Sequence, residues 1–271
     1  MKSLLLIGEF LTLLFVTGVS HAAAITGISY ILFPELAAIT YGVLTRLQGA
    51  WAKTHFLLVV TPTLTAIIGV LIAKTLPYSV FSVLLSIASA LVTIRLLKSP
   101  IAPALAAGYL PVILSEGSWW YPLSVFVTII LLVLIVKTLL RTFPHYLPPL
   151  PEQSNFSELH NANQNWQGTI AFILFMVIVL VISYFSELRF ILFPPLVVIS
   201  FEMLTKPTHC PWVGRPIALF VICILIAGVG LLTRTYMDSS TWGVLITMTT
   251  GILACRIYNL YLPPAMAIGL L

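Results

Sequence analysis

Charge is scarce in this chain. Only 8% of its 271 residues are charged while 60% are hydrophobic, and the mean hydropathy is +1.09. A soluble core cannot cover that much apolar surface with so few charges, so the composition indicates an all-α integral membrane protein, a polytopic bundle of transmembrane helices. The thirteen Lys and Arg residues give a net charge of +5, yet they sit singly at the ends of apolar runs and make no basic patch for nucleic acid. The lipid bilayer is the first partner they imply. Cysteine is also sparse: Cys210, Cys223 and Cys255 have no metal-like spacing and read as small packing residues, the last two within helices. The histidines His21, His55, His145, His160 and His209 form no H-E-x-x-H or HxxxH pattern. No glycine-rich phosphate loop and no aspartate pair is present. The sequence therefore gives no ground for a metal, a cofactor or a catalytic centre.

What the chain does contain is a repetition. Phe33 to Leu47 (FPELAAITYGVLTRL) is answered by Phe193 to Pro207 (FPPLVVISFEMLTKP). TIRLLKSPIAPALAAG, ending at Gly108, is answered by ACRIYNLYLPPAMAIG, ending at Gly269. Arg95 aligns with Arg256, Pro103 with Pro264, Gly108 with Gly269 and Gly69 with Gly230, all at a separation of 161. A spacing held through apolar sequence predicts a duplicated fold unit, a common scaffold for transport pathways. The predicted organisation is a first transmembrane unit at 1–140, a polar linker at 141–167, and a second unit at 168–271.

Apolar stretches run from Leu4 to Val19, Phe56 to Ala73, Val80 to Leu97, Pro122 to Leu140, Thr169 to Tyr184, Ile217 to Leu232 and Trp242 to Ile257. The first of these, with Lys2 and the small run Ser20 to Ala24, imitates a signal peptide, but Glu9 and the matching span in the second half favour its retention. Proline-interrupted segments lie between: Ala22 to Leu47, Ser99 to Leu114, Phe190 to Thr205 and Leu262 to Leu271. If these cross the bilayer, ten Lys/Arg fall inside and three outside, whereas re-entrant loops give five inside and eight outside. The positive-inside rule thus predicts six crossings per unit, parallel halves and a cytoplasmic N-terminus. The linker, with its idle Asn155-Phe156-Ser157 sequon, is then cytoplasmic. Pro34 to Ala38 and Pro103 to Ala107 hint at a smaller inverted symmetry within each half. The last apolar run ends at Leu271 without a polar tail, which reads as a fragment, or as an end covered by a partner chain or a second copy.

The broken segments are the candidate sites. A proline at the first helical position opens a helix and leaves amides at a positive dipole end. Pro34, Pro103, Pro194 and Pro264, with Ala104 and Ala265 beside them, are predicted to line a seat for a small anion where Pro34 meets Pro103 and Pro194 meets Pro264. Each also reads as a simple kink satisfied by neighbours. Arg95 and Arg256 are candidates for drawing an anion toward the inner mouth; helix capping and topology are the plainer role, as for Arg46 and Lys206. Glu9, Glu35 and Glu202 lie in or beside apolar segments, where an ionisable group is a functional candidate. Glu35 and Glu202 are candidates for proton coupling, with pairing to a cation or protonation in place as the alternative. Gly42, Gly69, Gly108, Gly228, Gly230 and Gly269 suit close helix packing. Tyr41 and Phe201 read as gates or fillers, and Trp51, Trp212, Trp119, Trp120 and Trp242 as interfacial anchors.

The Phe193-Pro194-Pro195-Leu196 segment, the Lys206-Pro207 to Arg215-Pro216 loop and the Leu262-Pro263-Pro264-Ala265 motif resemble the HPP family of integral membrane proteins, over about 100 residues of the second half. The first half follows the plan more loosely, so the chain resembles two fused HPP-like units. It departs from the family at Leu262, where the naming histidine stands, at Glu35, and at Val197-Val198. The resemblance implies transport of a small inorganic anion, nitrite-like, by alternating access or a channel-like path. A structural or regulatory membrane subunit, and an intramembrane enzyme using Glu35, Glu202 or His209 on a lipid-linked substrate, remain as other readings.

Overall fold

The computed structural model describes residues 2–115, 117–142, 166–208, 210–237 and 241–270. The predicted linker, apart from its ends, His145, His160, His209 and the sequon lie outside them. Eleven α-helices appear among the described residues: α1 (Lys2–Thr26), α2 (Pro34–Leu44), α3 (Ala50–Lys53), α4 (His55–Thr75), α5 (Val80–Leu96), α6 (Pro103–Ile113), α7 (Trp120–Thr142), α8 (Trp166–Ser186), α9 (Pro194–Thr205), α10 (Pro216–Met237) and α11 (Thr241–Ile257). Short 3₁₀ segments precede α2 (Ser29–Ile31) and α9 (Arg189–Leu192), and a longer one, Pro263–Leu270, follows α11. Five helices, α1, α4, α7, α8 and α10, are long and apolar enough to cross a membrane. The protein is an all-helical integral membrane protein.

The long helices carry the lipid-facing surface. On α8, Ile170, Leu174, Ile178 and Ile182 are each at least half exposed, as suits side chains bordered by hydrocarbon. The short proline-led helices are the reverse: all eleven residues of α2 and all eleven of α6 are buried. Apolar sequence alone does not distinguish these two roles. Length does, because eleven residues rise only about 16 Å.

Helix α1 runs past Val19 to Thr26, further than the apolar stretch predicts, because Ala22 to Ala24 favour helix and no breaker intervenes before Gly27. Gly27 then takes φ 69°, the left-handed stop that glycine accepts without strain. The chain returns antiparallel, so that Gly8 near the start of α1 lies against the backbone of Leu44 and Thr45 at the end of α2. The broken segment therefore retraces the depth of α1 from residue 8 onward, with α-helix only from Pro34.

The same local motifs occur again later in the chain. The amides of Ile31 and Leu36 donate to the carbonyls of Ile28 and Phe33, and those of Ile191 and Leu196 to Leu188 and Phe193. After α5, Lys98 is left-handed and Ser99 N–H closes on the Ile94 carbonyl; after α11, Asn259 is left-handed and Leu260 N–H closes on that of Cys255. Both are Schellman-type stops.

Tertiary contacts divide the chain into two compact units that do not follow the sequence division at 1–140 and 168–271. One is made of Met1–His55, Val127–Pro151 and Pro211–Leu271, the other of Phe56–Phe126 and Glu152–Cys210. The first unit thus joins α1 and α2 to α10, α11 and the Pro263–Leu270 segment. The second joins α4, α5 and α6 to α8 and α9. Each unit takes an opening pair of segments from one half of the sequence and a closing trio from the other.

Candidate functional site

Pro34, Pro103 and Pro194 each occupy the first position of a helix, as the sequence predicts, fully buried for the first two and partly for the third, and Pro264 lies near the start of the Pro263–Leu270 segment. Pro34 and Pro264 belong to one compact unit, and Pro103 and Pro194 to the other. Within the first unit, α2 packs on Pro263–Leu270, and the start of that segment lies beside Gly42, late in α2. Within the second, α6 packs on α9, and Tyr109, late in α6, donates from its hydroxyl to the Leu192 carbonyl just before α9, at 3.3 Å. In each unit the partners run antiparallel, so their proline ends do not face one another.

The amides after the prolines are turned back on their own chain. Leu36 N–H bonds to the Phe33 carbonyl, Leu196 and Val197 to Phe193, Ala104 to Ile101, Leu105 to Ala102, and Ala265 to Leu262. Ala104 and Ala265 therefore close the turn that starts each helix. Breaks inside a membrane protein must satisfy their polar groups internally or at a wet cavity, and several do so through side chains. Pro111, inside α6, has no N–H to offer the Ala107 carbonyl four residues back; Tyr121 O–H donates to it at 3.2 Å. Tyr261 O–H donates to the Gly42 carbonyl at 2.9 Å, near the end of α2. Its ring stacks on Tyr41 and lies 3.4 Å under the Arg46 guanidinium. In the break before α6, Ser99 Oγ accepts from Ile101 N–H and from the Thr61 hydroxyl, with both side chains fully buried.

The two candidate arginines are engaged. Arg256 pairs with Glu9 of α1, its Nε 3.0 Å from Oε1, and closes a second contact through its terminal nitrogen. Arg95 donates to the Thr169 hydroxyl of α8 and lies 4.4 Å over the Trp166 ring. Glu9 thereby resolves as a paired carboxylate, a partnership 247 positions distant that no local signal carries.

The other two glutamates differ. Glu35, second residue of α2, is 1% exposed, and neither carboxyl oxygen has a hydrogen-bond partner among the described residues. The Thr40 hydroxyl on the same helix is likewise buried and unpartnered. Glu202 is only half-buried on α9. Lys206, just beyond that helix, is buried; its burial lowers the ammonium from its ordinary value, and the Glu202 carboxylate acts in the opposite direction.

Two smaller expectations change. Trp212 is buried at 3% exposure instead of anchoring at the interface, whereas Trp119, Trp120 and Trp242 are exposed. Gly228 faces open space, while Gly69 lies on the Gly108 carbonyl and Gly230 on that of Gly269. Phe201 fills against Phe172, their rings edge to face at 5.3 Å.

No protein-family model, curated protein or solved structure matches this chain.

Proposed function

We propose that this protein transports a small inorganic anion, nitrite-like by its resemblance to the HPP family, and that it arose by duplication of one transmembrane unit with a cytoplasmic N-terminus. The observation that carries the reading is the recurrence, four times, of an interruption in the α-helical chain followed by a proline-led, largely buried helical segment in a membrane protein. A proposed path in each unit passes beside its breaks, in contact with buried polar groups there: Glu35 and Thr40 on α2 in the first unit, and Thr61 on α4 with Ser99 before α6 in the second. Because Arg95 and Arg256 are engaged with α8 and α1, their proposed part is to shape the path, with their positive charge biasing it toward anions. Glu35, and secondarily Glu202, are the proposed proton-coupling groups.

A structural or regulatory membrane subunit is the second reading, favoured by the self-satisfied amides after the prolines and by the tyrosine caps on Leu192 and Ala107. The test is uptake of nitrite and nitrate into proteoliposomes holding the purified protein, with chloride and formate as competitors, with and without a pH gradient. Saturable uptake lost on changing Pro103 and Pro264 supports transport. Absence of flux from folded protein supports the subunit.

A further inference from the structure

Beyond the broken segments, the second unit carries a groove of about 930 Å³ where α8 ends and α5 begins. Tyr78 and Phe81 line it from one side of the chain, and Tyr184, Phe185 and Glu187, with the buried Ser183, from the other. Four aromatic rings and one carboxylate line it, and among the described lining residues there is no lysine or arginine. Rings and a carboxylate in one groove suit a cation that is weakly hydrated, above all a substituted ammonium.

The lining is not what the scaffold requires. Glu187 follows α8 as Gly27 follows α1, and both are left-handed, at φ 58° and φ 69°. That conformation is free for glycine and strained for glutamate. The residues preceding Gly27 are Ala23, Ala24 and Ile25, against Ser183, Tyr184 and Phe185 here. Aromatic walls and a strained carboxylate thus stand where small apolar residues and a glycine would serve the fold.

Position supplies the rest of the ligand. The groove opens at the end of a helix long and apolar enough to cross a membrane, and Val181 and Ile182 on α8 and Leu85 on α5 are exposed apolar side chains on the helices that frame it. We propose that this groove binds the ammonium headgroup of a zwitterionic phospholipid, whose acyl chains run down the apolar faces of α8 and α5.

Native mass spectrometry of the full-length protein in mild detergent tests this, comparing phosphatidylcholine with phosphatidylglycerol of identical acyl chains. The expected result is retention of phosphatidylcholine over phosphatidylglycerol by about tenfold. Glu187→Gly removes the carboxylate and relieves the backbone, so that variant folds at least as stably as the parent while its preference falls to near unity. Tyr184→Ala reduces the preference in the same direction. Equal retention of the two lipids by the parent protein, or an undiminished preference in Glu187→Gly, overturns the proposal. Glycerophosphocholine, which has the headgroup without the chains, is expected to compete poorly; equal competition would replace the lipid with a soluble amine.

Discussion

Arg256 on α11 closes an ion pair with Glu9 on α1, and Arg95 on α5 donates a hydrogen bond to Thr169 on α8. The two arginines align in the sequence at a separation of 161, and their partners stand 160 apart, each following a glycine, Gly8 or Gly168. Each arginine therefore ties the closing trio of one sequence half to the opening helix of the other. The chemistry differs in one respect: Glu9 brings a buried charge, Thr169 a neutral hydroxyl.

That difference predicts unequal costs. Arg256→Ala strands a carboxylate that is 5% exposed and is expected to cost roughly 2–4 kcal/mol. Arg95→Ala forfeits a hydroxyl hydrogen bond and a cation–π contact and costs about 1–2 kcal/mol. Glu9→Thr in the Arg256→Ala background, which copies the residue at the Thr169 place, recovers much of the loss. Thermal unfolding in detergent measures all three. Equal costs for the two arginines would mean that the Glu9 charge is stabilised by something other than Arg256.

Tyr121 and Pro111 act as a pair through one carbonyl. Tyr121→Phe leaves the buried Ala107 carbonyl without a donor and is expected to destabilise the protein by about 1–3 kcal/mol. Pro111→Ala restores an N–H in register for that carbonyl, so Tyr121→Phe is expected to cost markedly less in its background. A double-mutant cycle on unfolding midpoints reads the coupling directly. Strict additivity would show that the two groups do not share the Ala107 carbonyl.

Much of this was legible in the sequence, and the limits are physical. Proline at a helix start announces itself, so α2, α6 and α9 begin at Pro34, Pro103 and Pro194. The recurrence of Gly69 with Gly230 and of Gly108 with Gly269 correctly marks close helix contacts. Yet a repeat says only which residues are equivalent, and packing within a half or across halves satisfies the same pattern. The joining of α1 and α2 to α10 and α11 is encoded in contacts such as Glu9–Arg256, which have no sequence-local trace. Sequence spacing also does not show where the amides after each proline go: they close on the carbonyls that precede them.

Glycine positions on α10 separate packing from mere composition. A methyl on Gly230 would meet the Gly269 backbone, whereas one on Gly228, two residues away, meets nothing within 4 Å. Gly230→Ala is expected to cost roughly 1–3 kcal/mol by forcing the helix away from its neighbour. Gly228→Ala is expected to be neutral or slightly stabilising, since alanine is the better helix former. In the second unit Gly69→Ala, aimed at the Gly108 carbonyl, should behave like Gly230→Ala. Folded yield after size-exclusion chromatography ranks the three, and a tolerant Gly230 would count against the close approach of α10 to Pro263–Leu270.

Glu35 is where stability and the proposed function pull apart. Its carboxyl oxygens are buried without a hydrogen-bond partner among the described residues, on a helix that is mostly apolar, so the group costs free energy in either protonation state. Glu35→Met, of similar length and without a polar atom, is expected to raise stability by about 1–3 kcal/mol. The proposed proton coupling predicts the opposite for activity: nitrite uptake in the Glu35→Met protein no longer responds to an imposed pH gradient, while gradient-independent flux persists. Glu202→Gln, at a half-buried position beside Lys206, leaves most of the gradient response in place. Two readouts then decide between roles. A stabilised protein that loses its gradient response identifies Glu35 as a group retained for function at the expense of stability. A destabilised Glu35→Met protein means that the carboxyl is held by a partner, and a stabilised one with its gradient response intact removes Glu35 from the coupling mechanism.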